Sequence, residues 1–270
     1  MKVVKFGGSS LASGNSVDKA LSIINADPER QVVVVSAPGK RTEDDIKVTD
    51  LMITYAYMSL RSNNYQDIAT RIFKRYELIA QYFELPEAEL EDIKQLLLTL
   101  PKLSYPNNDY RMATFKAHGE RLNAILIAKI LNHQGIKARF LEPKDVGLIV
   151  TGTPNNAEVN PETYVNLKRI KAAKDEKIIF PGFYGITPSG HIATFSRGGS
   201  DITGAILARG LNADLYENFT DVDAIFSANP HIVDQPQPIK RMTYQEMREL
   251  SYAGFSVFHD EALIPAIQGE

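Results

Sequence analysis

Lys2-Val3-Val4-Lys5-Phe6-Gly7-Gly8-Ser9-Ser10 opens the chain: a short apolar run leads straight into two glycines, with a lysine two residues ahead of them. A second run, Gln31-Val32-Val33-Val34-Val35-Ser36, is followed at once by Ala37-Pro38-Gly39. Short continuous apolar runs are what strands of a parallel sheet look like when both faces are covered. Further runs lie at 138–141 and 177–180, and 214–219 follows a segment closed by Gly210. Helical periodicity fills the intervals at 17–26, 49–60, 68–83, 88–100, 113–131, 162–173 and 201–209. Strands alternating with helices predict an α/β fold, a sheet with helices on both faces. The helices at 68–83 and 88–100 read as an all-helical insertion that the loop 101–109 ends. Pro188-Ser189-Gly190 between alternating flanks predicts a hairpin over 183–194, and Thr243-x-x-Glu246 is a capping box ahead of a helix at 247–252.

The bulk numbers bound the function. With 270 residues, 44% hydrophobic and 23% charged, the chain reads as an ordinary globular protein. A formal net charge of −3 and the lack of a basic stripe give nucleic-acid binding no support. The absence of cysteine excludes disulfides, thiolate nucleophiles and thiolate-bound zinc. The five histidines are scattered, with no metal-ligand spacing, so no protein-held metal is expected. No apolar run reaches membrane length, and the chain enters its first strand without a signal-peptide pattern. A cytoplasmic protein with no membrane partner is expected.

Six segments carry candidate chemistry. In the opening turn, glycines let backbone N–H groups approach phosphate oxygens closely, and Lys5 adds a fixed positive charge where a phosphoryl group would sit. Ser36-Ala37-Pro38-Gly39 stands at the carboxyl end of a strand, where ligands gather in open α/β sheets; a simple strand-to-helix turn fits it as well. The polar loop 40–47 reads either as a cover over a substrate or as an ordinary surface loop. His118-Gly119-Glu120-Arg121 places a glycine inside a helical pattern, which predicts a close backbone approach there. Glu120 reads either as an acceptor for a substrate ammonium or as part of a solvated Glu–Arg face. Ser196-Arg197-Gly198-Gly199-Ser200-Asp201 opens a helix, exposing N–H groups towards an anion. Within it, Arg197 can clamp a carboxylate through two parallel hydrogen bonds. Asp201 reads as a dipole-compensating residue, or as one that orients Lys5 or magnesium. Phe219-Thr220-Asp221-Val222-Asp223 follows a strand and offers ribose or base contacts, or else an Asx turn. Neither a P-loop nor a protein-kinase catalytic loop is present.

Taken in order, Lys5-Phe6-Gly7-Gly8-Ser9-Ser10, Val35-Ser36-Ala37-Pro38-Gly39, His118-Gly119-Glu120, Gly182-Phe183, Arg197-Gly198-Gly199-Ser200-Asp201 and Phe219-Thr220-Asp221-Val222-Asp223 resemble the aspartokinases, of the amino acid kinase superfamily. The resemblance covers essentially the whole chain. It implies a three-layer αβα sandwich with a mostly parallel central sheet. An N-terminal lobe over residues 1–195 would bind the amino acid and hold the phosphates, and a C-terminal lobe over 196–270 would bind the nucleotide. It also implies the reaction: ATP, with Mg2+, phosphorylates L-aspartate to 4-phospho-L-aspartate, which opens the route to lysine, threonine and methionine.

Carried over residue by residue, the family pattern gives Lys5, Phe6, Gly7, Gly8 and Ser9 to the ATP phosphates. Ser36, Thr49, Glu120, Phe183, Arg197 and Ser200 would surround aspartate, and Asp201 would organise Lys5. Thr220, Asp221, Phe226 and His231 would contact the nucleoside. Three departures from the pattern stand out. Asn229-Pro230-His231 stands where Asp-Pro-Arg is common, Phe226 where a tyrosine is usual, and Ser256 replaces a lysine ahead of Val257-Phe258-His259-Asp260. Family members usually continue into a pair of ACT domains, which also supply homodimer contacts; the chain stops at Glu270, about where these would begin, so a catalytic domain alone is expected. The alternatives are a sibling carboxylate kinase of the glutamate 5-kinase or acetylglutamate kinase type, and a fragment that binds nucleotide or amino acid without catalysis.

Overall fold

The computed structural model describes residues 1–61, 65–171, 173, 175–196, 198–220, 224–227 and 232–252. Its centre is a sheet of five parallel strands: β1 (Lys2–Phe6), β2 (Arg30–Val35), β3 (Ala138–Phe140), β6 (Lys177–Pro181) and β9 (Leu215–Phe219), in the order β3-β6-β2-β1-β9. Successive side chains leave a strand on opposite faces, and this alternation sorts the apolar runs into two cores. Val4, Phe6, Val33, Val35 and Ile179 face one core; Val3, Val32, Val34, Ile178 and Phe180 face the other. Each fully buried aliphatic side chain contributes about 1.5–3 kcal/mol.

The first core is closed by α1 (Gly14–Ala26), α2 (Val48–Arg61), α3 (Gln66–Tyr82), α4 (Glu91–Thr99) and α5 (Asn108–His133). The second is closed by α6 (Glu162–Leu167), α7 (Gly199–Gly210) and the antiparallel hairpins β4 (Val150–Thr153)/β5 (Asn156–Val159) and β7 (Tyr184–Ile186)/β8 (Ile192–Thr194). Helices on both faces of a parallel sheet make the expected αβα sandwich, with the sheet wholly parallel.

Local chemistry sets the ends of the elements. Ser13 caps α1, its Oγ accepting from Ser16 N. Asn107 caps α5, its Oδ1 accepting from Asp109 N and Tyr110 N, so this helix starts five residues before the sequence reading placed it. The capping box forms ahead of α8 (Tyr244–Tyr252): Glu246 accepts from Thr243 N at 2.7 Å, and Glu246 N donates to Thr243 Oγ at 3.2 Å.

Two expectations need correction. The helix expected over 162–173 ends at Leu167, after which turns at Arg169 and Ile170 lead towards the start of β6 at Lys177. The hairpin β4/β5 was not expected, because five of its eight residues are exposed and its strands are too short and too polar to stand out as apolar runs. No helix among the described residues is long and apolar enough to cross a membrane.

Candidate active site

The register brings four carboxyl ends to one edge of the sheet: Phe6 pairs with Val35 and with Phe219, and Val35 pairs with Pro181. The residues that follow, Gly7-Gly8, Ser36, Gly182-Phe183 and Thr220, therefore meet above β1, which lies between β2 and β9. A cleft of about 680 Å³ opens there, lined by Lys5, Gly7, Gly8, Ser36, Thr49, Glu120, Phe183, Ser200 and Asp201, with Lys47, Asp50, Ser196, Gly198 and Gly199. A second cavity of about 620 Å³ shares Gly7, Gly8, Ser36, Lys47, Thr49 and Glu120 with it and runs on to Ser9, Thr220 and residues 37–43.

Lys5 shares a face of β1 with Val3, the face that α7 covers. Asp201, in the first turn of α7, meets it: Nζ and Oδ1 stand 2.7 Å apart. Asn218 on β9 donates to the same carboxylate oxygen at 2.9 Å, so the aspartate is held from two strands. A Cβ on Gly7 would stand 3.6 Å from Lys5 Nζ, so the bare backbone keeps the approach to the ammonium open. The Gly7 N–H itself donates to Phe219 O at 3.2 Å; what this turn offers an anion comes from the residues after it. On the far side, α7 begins at Gly199 after Gly198, an N-cap residue with no side chain to cap it, and its first residues line the cleft. Uncapped N–H groups at a helix start favour an anion.

Backbone contact welds the first two loops together. Gly39 N donates to Gly8 O at 2.8 Å. A Cβ on Gly39 would lie 2.6 Å from the carbonyl carbon of Gly8, so only glycine allows the approach. The glycine inside α5 has the predicted role: a Cβ on Gly119 would stand 2.9 Å from Ala37 Cβ. That proximity delivers Glu120 to the cleft floor, and Asn123, a turn further on, donates to Ser36 O at 2.7 Å.

Glu120 is 5% exposed, and its Oε2 has no hydrogen-bond partner among the described residues. Burial pushes its carboxyl up to about 8, against the opposing pull of the Ala37 N–H and of Lys116. A solvated Glu–Arg face is excluded, because Arg121 turns away to Glu142 at 2.8 Å and to His118 Nε2 at 3.1 Å. His118 is buried with Nδ1 against Thr114 O, and burial lowers its imidazole to about 3. It stays neutral and serves the helix rather than the cleft.

The other residues named from sequence are distributed as follows. Phe183 lies in the cleft with φ of +80°, its N–H held by Thr203 Oγ1 at 3.0 Å. Phe6 does not line the cleft: its ring is buried and stacks on Phe219 at 5.0 Å. Ser9 and Thr220 line the second cavity. Phe226 is half-buried, bridged to Pro238, and lines neither cavity. Arg197, Asp221 and His231 fall outside the described residues, as do Asn229, Pro230 and Ser256. Sequence reading did not single out Asp50, or Lys47 beyond its place at the end of the polar loop. Their signal was their position flanking Thr49 at the start of α2.

A parallel sheet with a lysine–aspartate pair and glycine turns at its carboxyl edge presents a fixed cation and backbone N–H groups to an anion in one cleft. The sequence matches the amino acid kinase family over residues 1–270, and the chain belongs to that family. It is 54% identical to Aspartokinase 3 of Bacillus subtilis, over 99% of this chain and 59% of that protein. It is 29% identical to the chloroplastic Aspartokinase 1 of Arabidopsis thaliana, over 99% of this chain and 48% of that protein. Among solved structures it resembles the aspartate kinase of Clostridium acetobutylicum, with a TM-score of 0.82 and 35% identity over 99% of this chain and 57% of that one. E. coli aspartokinase III, crystallised with aspartate and ADP, has the same fold, with a TM-score of 0.86 at 24% identity over all of this chain and 60% of that one. The chain thus spans about half to three-fifths of the length of these relatives.

Proposed function

We propose that the cleft transfers the γ-phosphoryl group of ATP to the side-chain carboxylate of L-aspartate. The observation that carries this reading is the Lys5–Asp201 pair sharing one cleft with the buried carboxylate of Glu120. The likeness to Aspartokinase 3 of Bacillus subtilis and to the Clostridium aspartate kinase supports the choice of amino acid.

The chemistry asks little of a base. An aspartate side chain, with an ordinary pKa of about 3.9, is already ionised at neutral pH. The barrier is repulsion between that anion and a polyphosphate, so positioning and charge neutralisation carry catalysis. Lys5, fixed by Asp201, supplies one positive charge, and the start of α7 supplies N–H dipoles. Glu120 takes the substrate ammonium; Arg197 is assigned the α-carboxylate on its sequence pattern. Fixing both ends of the amino acid aims its free carboxylate at the γ-phosphorus, the orientation effect. One carboxylate oxygen forms a bond to phosphorus, the bond from phosphorus to the ADP oxygen breaks, and its electron pair leaves with ADP.

Ser36, Thr49, Phe183 and Ser200 complete the amino-acid side, and Gly8 and Ser9 the phosphate side. Thr220, Asp221, Phe226 and His231 are assigned to the nucleoside, with the amino-acid lobe at 1–195 and the nucleotide lobe at 196–270. Magnesium fits as a companion of the nucleotide, since Asp201 is the one carboxylate beside Lys5 among the described residues and is already engaged by Lys5 and Asn218. A place ahead of lysine, threonine and methionine synthesis, in the cytoplasm and as a homo-oligomer, accords with this reading.

The test is an assay that traps acyl phosphate as hydroxamate, run with L-aspartate, L-glutamate and N-acetyl-L-glutamate side by side. Aspartate alone should give strong signal. N-acetylation removes the ammonium that Glu120 is placed to meet, so robust use of N-acetylglutamate would overturn the assignment, as would product from glutamate exceeding that from aspartate.

A further inference from the structure

The segment between β2 and α2 folds back on itself. Val48 N donates to Pro38 O at 3.0 Å, so the two ends of the loop lie side by side. Within it, Asp45 N donates to Thr42 O at 3.1 Å, Lys40 Nζ to Glu43 O at 2.8 Å, and Arg41 binds Asp45 through its backbone N–H and its guanidinium.

One side chain from outside closes this neck. Arg75, on α3 and 4% exposed, places Nη2 2.6 Å from Gly39 O and Nη1 2.8 Å from Ile46 O. Nη1 also stands 3.2 Å from Asp45 Oδ2. The next residue, Tyr76, is fully buried and donates its hydroxyl to Gly119 O at 2.9 Å. Helix α3 contributes no residue to either cavity. It nevertheless grips the chain just after Ser36, just before Lys47 and Thr49, and just before Glu120.

We propose that Arg75 is a positioning residue for the amino-acid site. By spanning Gly39 O and Ile46 O it sets the distance between Ser36 on one side and Lys47–Thr49 on the other, and it makes the 40–46 loop a fixed wall rather than a lid. A buried guanidinium is costly to desolvate, and here Nη1 and Nη2 are spent on two backbone carbonyls and on Asp45, while Nε meets no partner among the described residues. The two contacts come from two different nitrogens of the guanidinium fork, whereas a lysine would have to make both from one atom on a differently shaped side chain, so Arg75→Lys is expected to lose at least one of them. The inference rests on the reading of the cleft as an amino-acid site, but its structural half does not.

The test compares Arg75→Ala and Arg75→Lys with the unaltered chain. Misplacement of a site wall by a fraction of an ångström predicts a rise in aspartate KM of at least about tenfold, with kcat and ATP KM changed by less than about threefold. Free guanidinium ion, below denaturing concentration, should restore aspartate KM in Arg75→Ala and leave the unaltered chain unaffected. Trypsin should cut after Lys40 and Arg41 much faster in both variants. A folded Arg75→Lys with unchanged aspartate KM and unchanged trypsin resistance overturns the inference, whether or not Arg75→Ala folds. If the unaltered chain phosphorylates no carboxylate, the reading of the cleft fails; the trypsin comparison still decides whether Arg75 fixes the loop.

Discussion

Glu120 makes the amino-acid site a proton-competitive one. Its carboxyl is pushed up to about 8 by burial, yet an ammonium needs it ionised. The ionised share of the empty cleft is then about one tenth at pH 7 and about one hundredth at pH 6, and apparent affinity falls by the same fraction. Aspartate KM should therefore rise about tenfold for each unit of pH below 8, while ATP KM stays nearly level. Glu120→Gln removes the titration: its aspartate KM should be high and flat from pH 6 to 9, by about 10–100-fold over the unaltered chain at pH 9, the value of one charged hydrogen bond. Initial rates at saturating ATP across that range give both curves. The same burial has an opposite effect on stability. A carboxyl whose folded pKa is raised binds more protons when folded, so stability falls as pH rises from about 4.5 to 8. Glu120→Gln should melt at a higher temperature than the unaltered chain above pH 8, with the gap closing towards pH 4.5. A flat KM profile for the unaltered chain, together with a Glu120→Gln variant of normal KM, would refute the placement of the substrate ammonium at Glu120.

Two further predictions concern the scaffold. Gly39→Ala drives a methyl group into the Gly8 backbone, 2.6 Å from its carbonyl carbon. It should cost about 1–3 kcal/mol in urea unfolding, and an unchanged midpoint would contradict the welded loops. His118, lowered to about 3 from 6.5 by burial, binds fewer protons folded than unfolded. Stability from this group is present above about pH 6.5 and is lost as pH falls towards 3. The stability advantage of the unaltered chain over His118→Gln should shrink between pH 7 and pH 4, which thermal melts at each pH will read.

Much of the frame was legible because parallel strands are buried on both faces. Val32–Val35 is apolar throughout and Val3–Phe6 is apolar but for Lys5, a pattern that suits strands covered on both faces. The cleft residues were legible where they follow a strand directly, as Gly7, Ser36 and Phe183 do. Arg75 was not, since nothing near it in sequence distinguishes it from any other basic residue on a helix. Its partners lie 29 and 36 residues away. The hairpin β4/β5 escaped for the opposite reason: only Val150 and Ala157 of its eight residues are buried, and Pro154-Asn155 marks a turn without the continuous apolar flanks that announce buried strands. Phe6 was grouped with the phosphate turn because it adjoins Gly7, but strand alternation sends its ring into the core, opposite Lys5.

Lys5 is the residue on which phosphoryl transfer in this cleft depends most directly. Its ammonium, 2.7 Å from Asp201, is the charge that lets two anions meet. The decisive measurement is the single-turnover rate of Lys5→Met with Mg-ATP and saturating aspartate, on protein shown by circular dichroism to be folded. Loss of one preorganised charge predicts a fall of at least about a hundredfold. A folded Lys5→Met variant turning over within a few-fold of the unaltered chain would contradict the account.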